Sequence, residues 1–252
     1  MPQRPEVVAL TAAHQRAQNR VAGQTVRLMN AVWPMLDVQR VDSTTDRWLR
    51  LARPIVQRQH RESATLAADY YRRIRRVDLD DDIVPVLTAV PADAVEASLV
   101  MTGPAKLSQP PANQMWATTV ARARSGAARS AIRMALSGGR ELIVNTVQAD
   151  RAALGWARVL TSADPCPFCR MMASRGPVYR SDQSASFQAH DGCLCSAQPA
   201  FAGTDLWTAD AIEQRELYDQ AIDEARAAGD LYRGTKNNSL NAFRRHLAKQ
   251  AQ

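Results

Sequence analysis

Apolar residues recur at helical spacing through most of the first 155 positions. Residues 5–32, rich in Ala, Gln, Arg and Val, read as one helix ending at Trp33-Pro34. A second is expected from Ser43 or Thr44 to about Val77, with Trp48, Leu51, Ile55, Leu66, Tyr70, Ile74 and Val77 along much of one face and Pro54 as a kink or early boundary. Asp78-Leu79-Asp80-Asp81-Asp82 ends it and offers a cap to a third helix, 82–101, which stops at Gly103-Pro104. The Pro-rich run 104–113 reads as a linker or turn. From Gln114 to about Leu154 another long pattern follows, carried by Met115, Val120, Ala127, Ile132, Leu136, Leu142, Ile143 and Val147 and softened at Gly138-Gly139. Isolated helices are marginal in water, so these stripes must bury against one another or a partner.

Near Gly155 the text changes. Trp156–Thr161, Pro177–Tyr179 and Cys193–Phe201 read as short strands, the last limited in its pairing by Pro199. Thr208 or Asp210 caps a helix to about Ala228, closed by Gly229, and Leu240–Gln252 reads as a basic last helix. The expected fold is mainly α-helical with a small α+β zinc-stabilised C-terminal module. Its expected divisions are an N-terminal helical region 1–103, a linker and long basic helix 104–155, a zinc module 156–201 and C-terminal helices 202–252.

The chain's 252 residues suffice for a real core, and with 46% apolar residues but no apolar run approaching ~18 residues no membrane role is expected. The net charge of +7 belongs to residues 1–155, which carry 21 Lys/Arg against 14 Asp/Glu. Two zones stand out: residues 40–76, ending in Arg72-Arg73-x-Arg75-Arg76, and the acid-free stretch 117–140 with Arg122, Arg124, Arg129 and Arg133. Arginine at this density suits sequence-indifferent contact with the phosphates of double-stranded DNA, and equally an acidic protein surface or a solvated face.

All four cysteines fall in one stretch, Cys166-x2-Cys169-x20-His190-x2-Cys193-x1-Cys195. Thiolate and imidazole are zinc's preferred donors in four-coordinate sites, and C-x2-C presents two thiolates from one turn. Cys166, Cys169 and His190 recur in each sensible assignment, with Cys193 or Cys195 fourth; disulfides and inert buried thiols are the other readings. No secretory leader is expected at the N-terminus. A closed four-ligand site is structural rather than catalytic. The deaminase pattern H-x-E then P-C-x-x-C finds an echo in His60-Arg61-Glu62 and Pro165–Cys169, but it leaves His190, Cys193 and Cys195 unused. Ser184, Ser186, His190 and Asp191 are close in sequence, yet a histidine bound to metal is no general base. His14, His60 and His246 read as packing or surface residues.

The segments Trp156–Cys169, with Asp164-Pro-Cys-Pro-Phe-Cys, 173-ASRGPVY-179, and Phe187-Gln-Ala-His190-Asp-Gly-Cys193-Leu-Cys195 followed by Pro199, resemble the minor head proteins of tailed phages grouped with the F protein of phage Mu, in their actinobacteriophage form. The signature covers about residues 156–201, and this chain has Asp191-Gly192 where the family often has Pro-Asn. The resemblance implies a virion component of the phage head, made in the bacterial host cytoplasm. It acts with the portal protein in head assembly and genome packaging or delivery, beside the major capsid protein or sister copies. The label capsid maturation protease that such proteins often carry is the alternative it implies. No defined protease constellation supports that label here, so no catalytic residue is assigned.

Overall fold

The computed structural model describes residues 3–87, 89–109, 115–162, 164–180, 186–202, 207–232 and 238–250. Three long helices dominate: α1 (Pro5–Val32), α2 (Val41–Leu79) and α5 (Trp116–Ala149), with short α3 (Ala92–Thr102) and α4 (Pro104–Ser108) between the last two. A hairpin-like pair follows, β1 (Ala153–Val159) antiparallel to β2 (Ser196–Phe201), with Trp156 opposite Pro199. Helix α6 (Pro167–Ala173) lies between these strands in sequence, and α7 (Ala209–Ala227) and α8 (Asn238–Gln250) come after them. The fold is therefore mainly helical with a small α+β part, as the periodicity implied. No helix among the described residues is long and apolar enough to cross a membrane.

The boundaries differ from expectation where local chemistry competes. Pro5 occupies the first turn of α1, where its missing N–H is no loss. Helix α2 starts at Val41, earlier than Ser43, and runs through Pro54 unbroken. It ends at Asp80, which adopts the left-handed conformation (φ 53°) and returns its N–H to the Arg76 carbonyl. The expected helix 82–101 forms only from Ala92: the described residues of 81–91 carry no regular secondary structure, and Pro85 and Pro91 oppose a helix there. Part of the expected 104–113 linker is α4, and residues 110–114 lie outside the described set. Pro177–Tyr179 makes no strand; Tyr179 forms one isolated bridge, to Trp156. The C-x2-C turn is the N-terminus of α6: Cys166 caps it, and the Cys169 N–H donates to the Cys166 sulfur.

One core joins bundle and hairpin. Ala67, Tyr71 and Ile74 of α2 and Leu142, Ile143 and Val147 of α5 pack with Trp156 of β1 and Phe201 of β2, all fully buried. Tyr71 and Phe201 meet edge-on at 5.8 Å between ring centroids. A second cluster centres on Trp48, Val56, Leu99 and Ala127, and a third, of Met171, Ala221, Leu240 and Phe243, holds α6, α7 and α8 together. The helices approach closely at Gly138 and Gly139, where a Cβ on Gly138 would sit 2.2 Å from the His60 carbonyl oxygen. There the Gly139 N–H donates to Ser63 Oγ (3.0 Å), and Ser63 donates to Gln18 Oε1 (2.7 Å). The pair reads as a soft spot by propensity and serves as a point of backbone-close contact between α2 and α5.

Candidate metal centre

Short chain segments with strong local reasons for their shape bring the five sequence-predicted donors together. Cys166 and Cys169 lie on the cap and first turn of α6, and His190 precedes a tight turn in which the Cys193 N–H donates to the His190 carbonyl (3.0 Å). Gly192 occupies that turn at φ +80°, where a side chain is strained, and its N–H donates to the Arg129 carbonyl (2.9 Å). The donors form two triads sharing Cys169: Cys166, Cys169 and His190, and Cys169, Cys193 and Cys195, each with its ligand atoms within 4.8 Å of one another. Cys169 Sγ lies 3.6 Å from Cys193 Sγ, and Cys166 Sγ lies 3.8 Å from His190 Nδ1. Two sulfurs on one tetrahedral zinc at ~2.3 Å bonds are separated by about 3.7 Å, so the Cys169–Cys193 spacing suits two thiolates on one ion. All four cysteines are free thiols.

The thiols perturb one another. Hydrogen bonding from Cys169, first its thiol and then its N–H, with the nearby His190, holds Cys166 at about 5 against desolvation. Cys169 itself is pushed far up by its bonding to Cys166, Cys193 and Cys195 and by burial. Cys193 is held far below the usual thiol range by bonding from Cys169 and Cys195 and by the Arg140 charge. Four sulfurs this close share their protons as a group, and a dication is the natural substitute for those protons.

Two residues that sequence reading missed complete the surroundings. Arg140 of α5 is buried and donates to the carbonyls of Cys195 (2.9 Å) and Cys193 (2.6 Å). Arg158 of β1, only 1% exposed, donates to Cys169 Sγ (3.5 Å) and to the Gln188 carbonyl (2.6 Å). The Phe187 ring lies beneath both guanidiniums, 5.0 Å from Arg140 and 3.9 Å from Arg158. Arg140 belongs to an acid-free arginine run that reads as a surface, and nothing in its immediate sequence distinguishes it.

The arginines assigned to DNA or a partner divide sharply. Arg72 and Arg76 both reach Asp82 (2.5 and 2.6 Å), and exposed Arg73 pairs with Asp69 (3.0 Å). Arg75 is buried against Asp150 (2.9 Å) and also pairs with Asp81 (2.6 Å), so its charge is internal. Burial pushes Asp150 up, yet the hydrogen bonds from Arg75, the Ala152 N–H and Tyr71 together hold it below the ordinary carboxylate range. Arg133 pairs with Asp191 (2.7 Å) and Arg129 donates to the Asp191 carbonyl (2.9 Å), so both clamp the metal-loop turn onto α5. Exposed Arg124 donates to Asn30 Oδ1 (2.8 Å), and Arg122 lies on the exposed side of α5. In contrast, Arg16, Arg20 and Arg27 line an open groove along α1 and have no ion pair among the described residues.

Residues 1–221 match the family described as VG15 protein. The chain belongs to the VG15 family. It is similar to the Gene 15 protein of Mycobacterium phage D29, at 28% identity over 246 residues covering 79% of this chain and 86% of that protein. The Gene 15 protein of Mycobacterium phage L5 is 26% identical over 255 residues, covering 80% and 83% respectively. No solved structure matches. The family match spans the three long helices, the hairpin and all five donors, and the two mycobacteriophage proteins are distant relatives over about four fifths of the chain.

Proposed function

We propose that this VG15 protein is a minor component of the phage head, of the Mu F-like kind, acting with the portal in head assembly and genome packaging or delivery. Its Cys/His cluster holds a structural zinc. The observation that carries the zinc assignment is the cluster itself: two triads of Cys and His donors sharing Cys169, backed by buried Arg140 and Arg158 and clamped to α5. Zinc there supplies no reaction; it ties α6 and the β2 approach to the bundle. The relationship to phage-encoded proteins and the long amphipathic helices support a docking role. Partner contact, with packaged duplex or an acidic protein face, falls to exposed arginines such as Arg73, Arg76, Arg122 and Arg124 and to the α1 groove.

The test is co-production with portal and major capsid proteins, followed by affinity capture and intact-mass measurement of every chain. Co-purification with the portal and unchanged masses are expected. A new capsid terminus that depends on this protein overturns the reading in favour of a maturation protease, and absence from both portal and procapsid fractions overturns the head assignment.

A further inference from the structure

The charge around the cluster deepens the zinc reading, on which this inference rests. Arg140 and Arg158 are 4% and 1% exposed, and among the described residues neither forms an ion pair with a carboxylate. Arg140 Nη1 and Arg158 Nε are buried and have no hydrogen-bond partner among the described residues. Two unneutralised guanidiniums in a dry interior are a severe penalty, since buried charge persists only when balanced. Both reach the cysteine cluster: Arg158 donates to Cys169 Sγ, and Arg140 donates to the backbone carbonyls of Cys193 and Cys195.

A zinc ion with three thiolates and one neutral imidazole carries a single negative charge, and the two arginines would leave a buried positive charge over. With four thiolates the ion carries two negative charges, and the arginines cancel them. We propose that all four cysteines bind the metal and that His190 stands outside, donating from Nδ1 to the Cys166 thiolate. Cys169, Cys193 and Cys195 are buried, Cys166 is half-buried and His190 is exposed; Cys166 shares a triad with Cys169 and must close toward Cys193 and Cys195 as the metal binds. The 3.8 Å separation of His190 Nδ1 from Cys166 Sγ fits a hydrogen bond to sulfur. Arg140 and Arg158 are then positioning residues that select a soft, four-coordinate dication held by thiolates, and the Phe187 ring contacts both cationic heads.

Zinc-edge X-ray absorption on the full chain as purified tests the assignment. Four sulfur neighbours at ~2.3 Å and no nitrogen near ~2.0 Å are expected. Three sulfurs and one nitrogen overturn the four-thiolate set while leaving the zinc reading intact. Protein that holds no zinc and carries disulfides overturns both. His190→Asn, at an exposed position, should keep one zinc per chain and an unchanged absorption spectrum, whereas Cys193→Ser and Cys195→Ser should each change it. Arg158→Met should weaken zinc binding about 10- to 100-fold in competition with a chelator, with Arg158→Lys recovering part of the loss. Equal zinc affinity in Arg158→Met and the parent chain removes the charge-balance argument.

Discussion

Arg73 and Arg75 stand two residues apart in one arginine run, and the structure predicts opposite outcomes for replacing them. Arg75→Met leaves Asp150, 2% exposed, without its principal cation. Removing one member of a buried, hydrogen-bonded pair costs about 3–5 kcal/mol. Tyr71 Oη (3.0 Å) and the Ala152 N–H (3.0 Å) continue to hold the Asp150 carboxylate, which points to the lower end. Arg73→Met breaks a pair whose side chains are 58% and 63% exposed, and such pairs contribute under ~0.5 kcal/mol. Urea denaturation followed by tryptophan fluorescence, with zinc in the buffer, should place the Arg75→Met midpoint lower by about 1 M or more and the Arg73→Met midpoint within about 0.3 M of the parent. The Asp150 carboxyl titrates lower in the folded chain than when unfolded. Its stabilisation is present above the ordinary carboxylate range and fades as pH falls through the depressed folded value, so the Arg75→Met deficit should shrink in acid. Equal midpoint shifts for the two variants, or a deficit that grows in acid, would refute the buried-pair argument.

His14 is buried, stacks on Tyr70 at 4.2 Å between ring centroids, and has its pKa lowered from 6.5 to about 4 by desolvation. The unfolded chain therefore binds the proton first, and stability falls as pH drops from about 6.5 to 4, by about 3 kcal/mol from this residue; His14→Leu should remove that part of the slope, and parallel pH profiles for variant and parent would contradict it. Gly138→Ala in an ordinary helix interior would stabilise by about 1 kcal/mol, but the 2.2 Å approach to the His60 carbonyl reverses the sign; a loss of at least ~1–3 kcal/mol in denaturant is expected, and any gain refutes the close approach. Chelation of zinc at neutral pH should abolish hydrogen-exchange protection in residues 153–159 and 196–201 before the centre of α2 loses it. Unchanged protection in metal-free protein would show that the ion does not hold the hairpin.

The helices were legible because burying an apolar stripe forces a period on the sequence, and Trp48, Tyr70, Ile74, Leu142 and Val147 all sit in the core that this period implies. The Cys/His spacing likewise announced the cluster, since few donors suit a soft dication. What stayed hidden depends on neighbours distant in sequence. Arg75 and Arg140 are indistinguishable in the text from exposed arginines; Asp150 and the Cys193–Cys195 carbonyls make them internal. The Asp80–Asp82 run reads as the end of α2 and does end it, but Asp81 and Asp82 fold back onto the arginines of their own helix rather than capping the next. Local propensity also misjudged Gly138-Gly139, because a glycine's value there is the space it leaves for a carbonyl on another helix.

The edge-on contact of Tyr71 with Phe201 closes a loop of more than half the chain. During translation α1, α2 and α5 leave the ribosome well before β2, so the apolar wall formed by Tyr71, Leu142, Ile143 and Val147 waits uncovered until the last hairpin residue emerges. Contacts of such sequence separation form late and slowly. The cysteines at 193 and 195 appear immediately before the strand that seals this wall, so on the proposed zinc reading metal capture and closure of the core would coincide. A nascent chain starved of zinc would then dwell with that wall open and be exposed to aggregation.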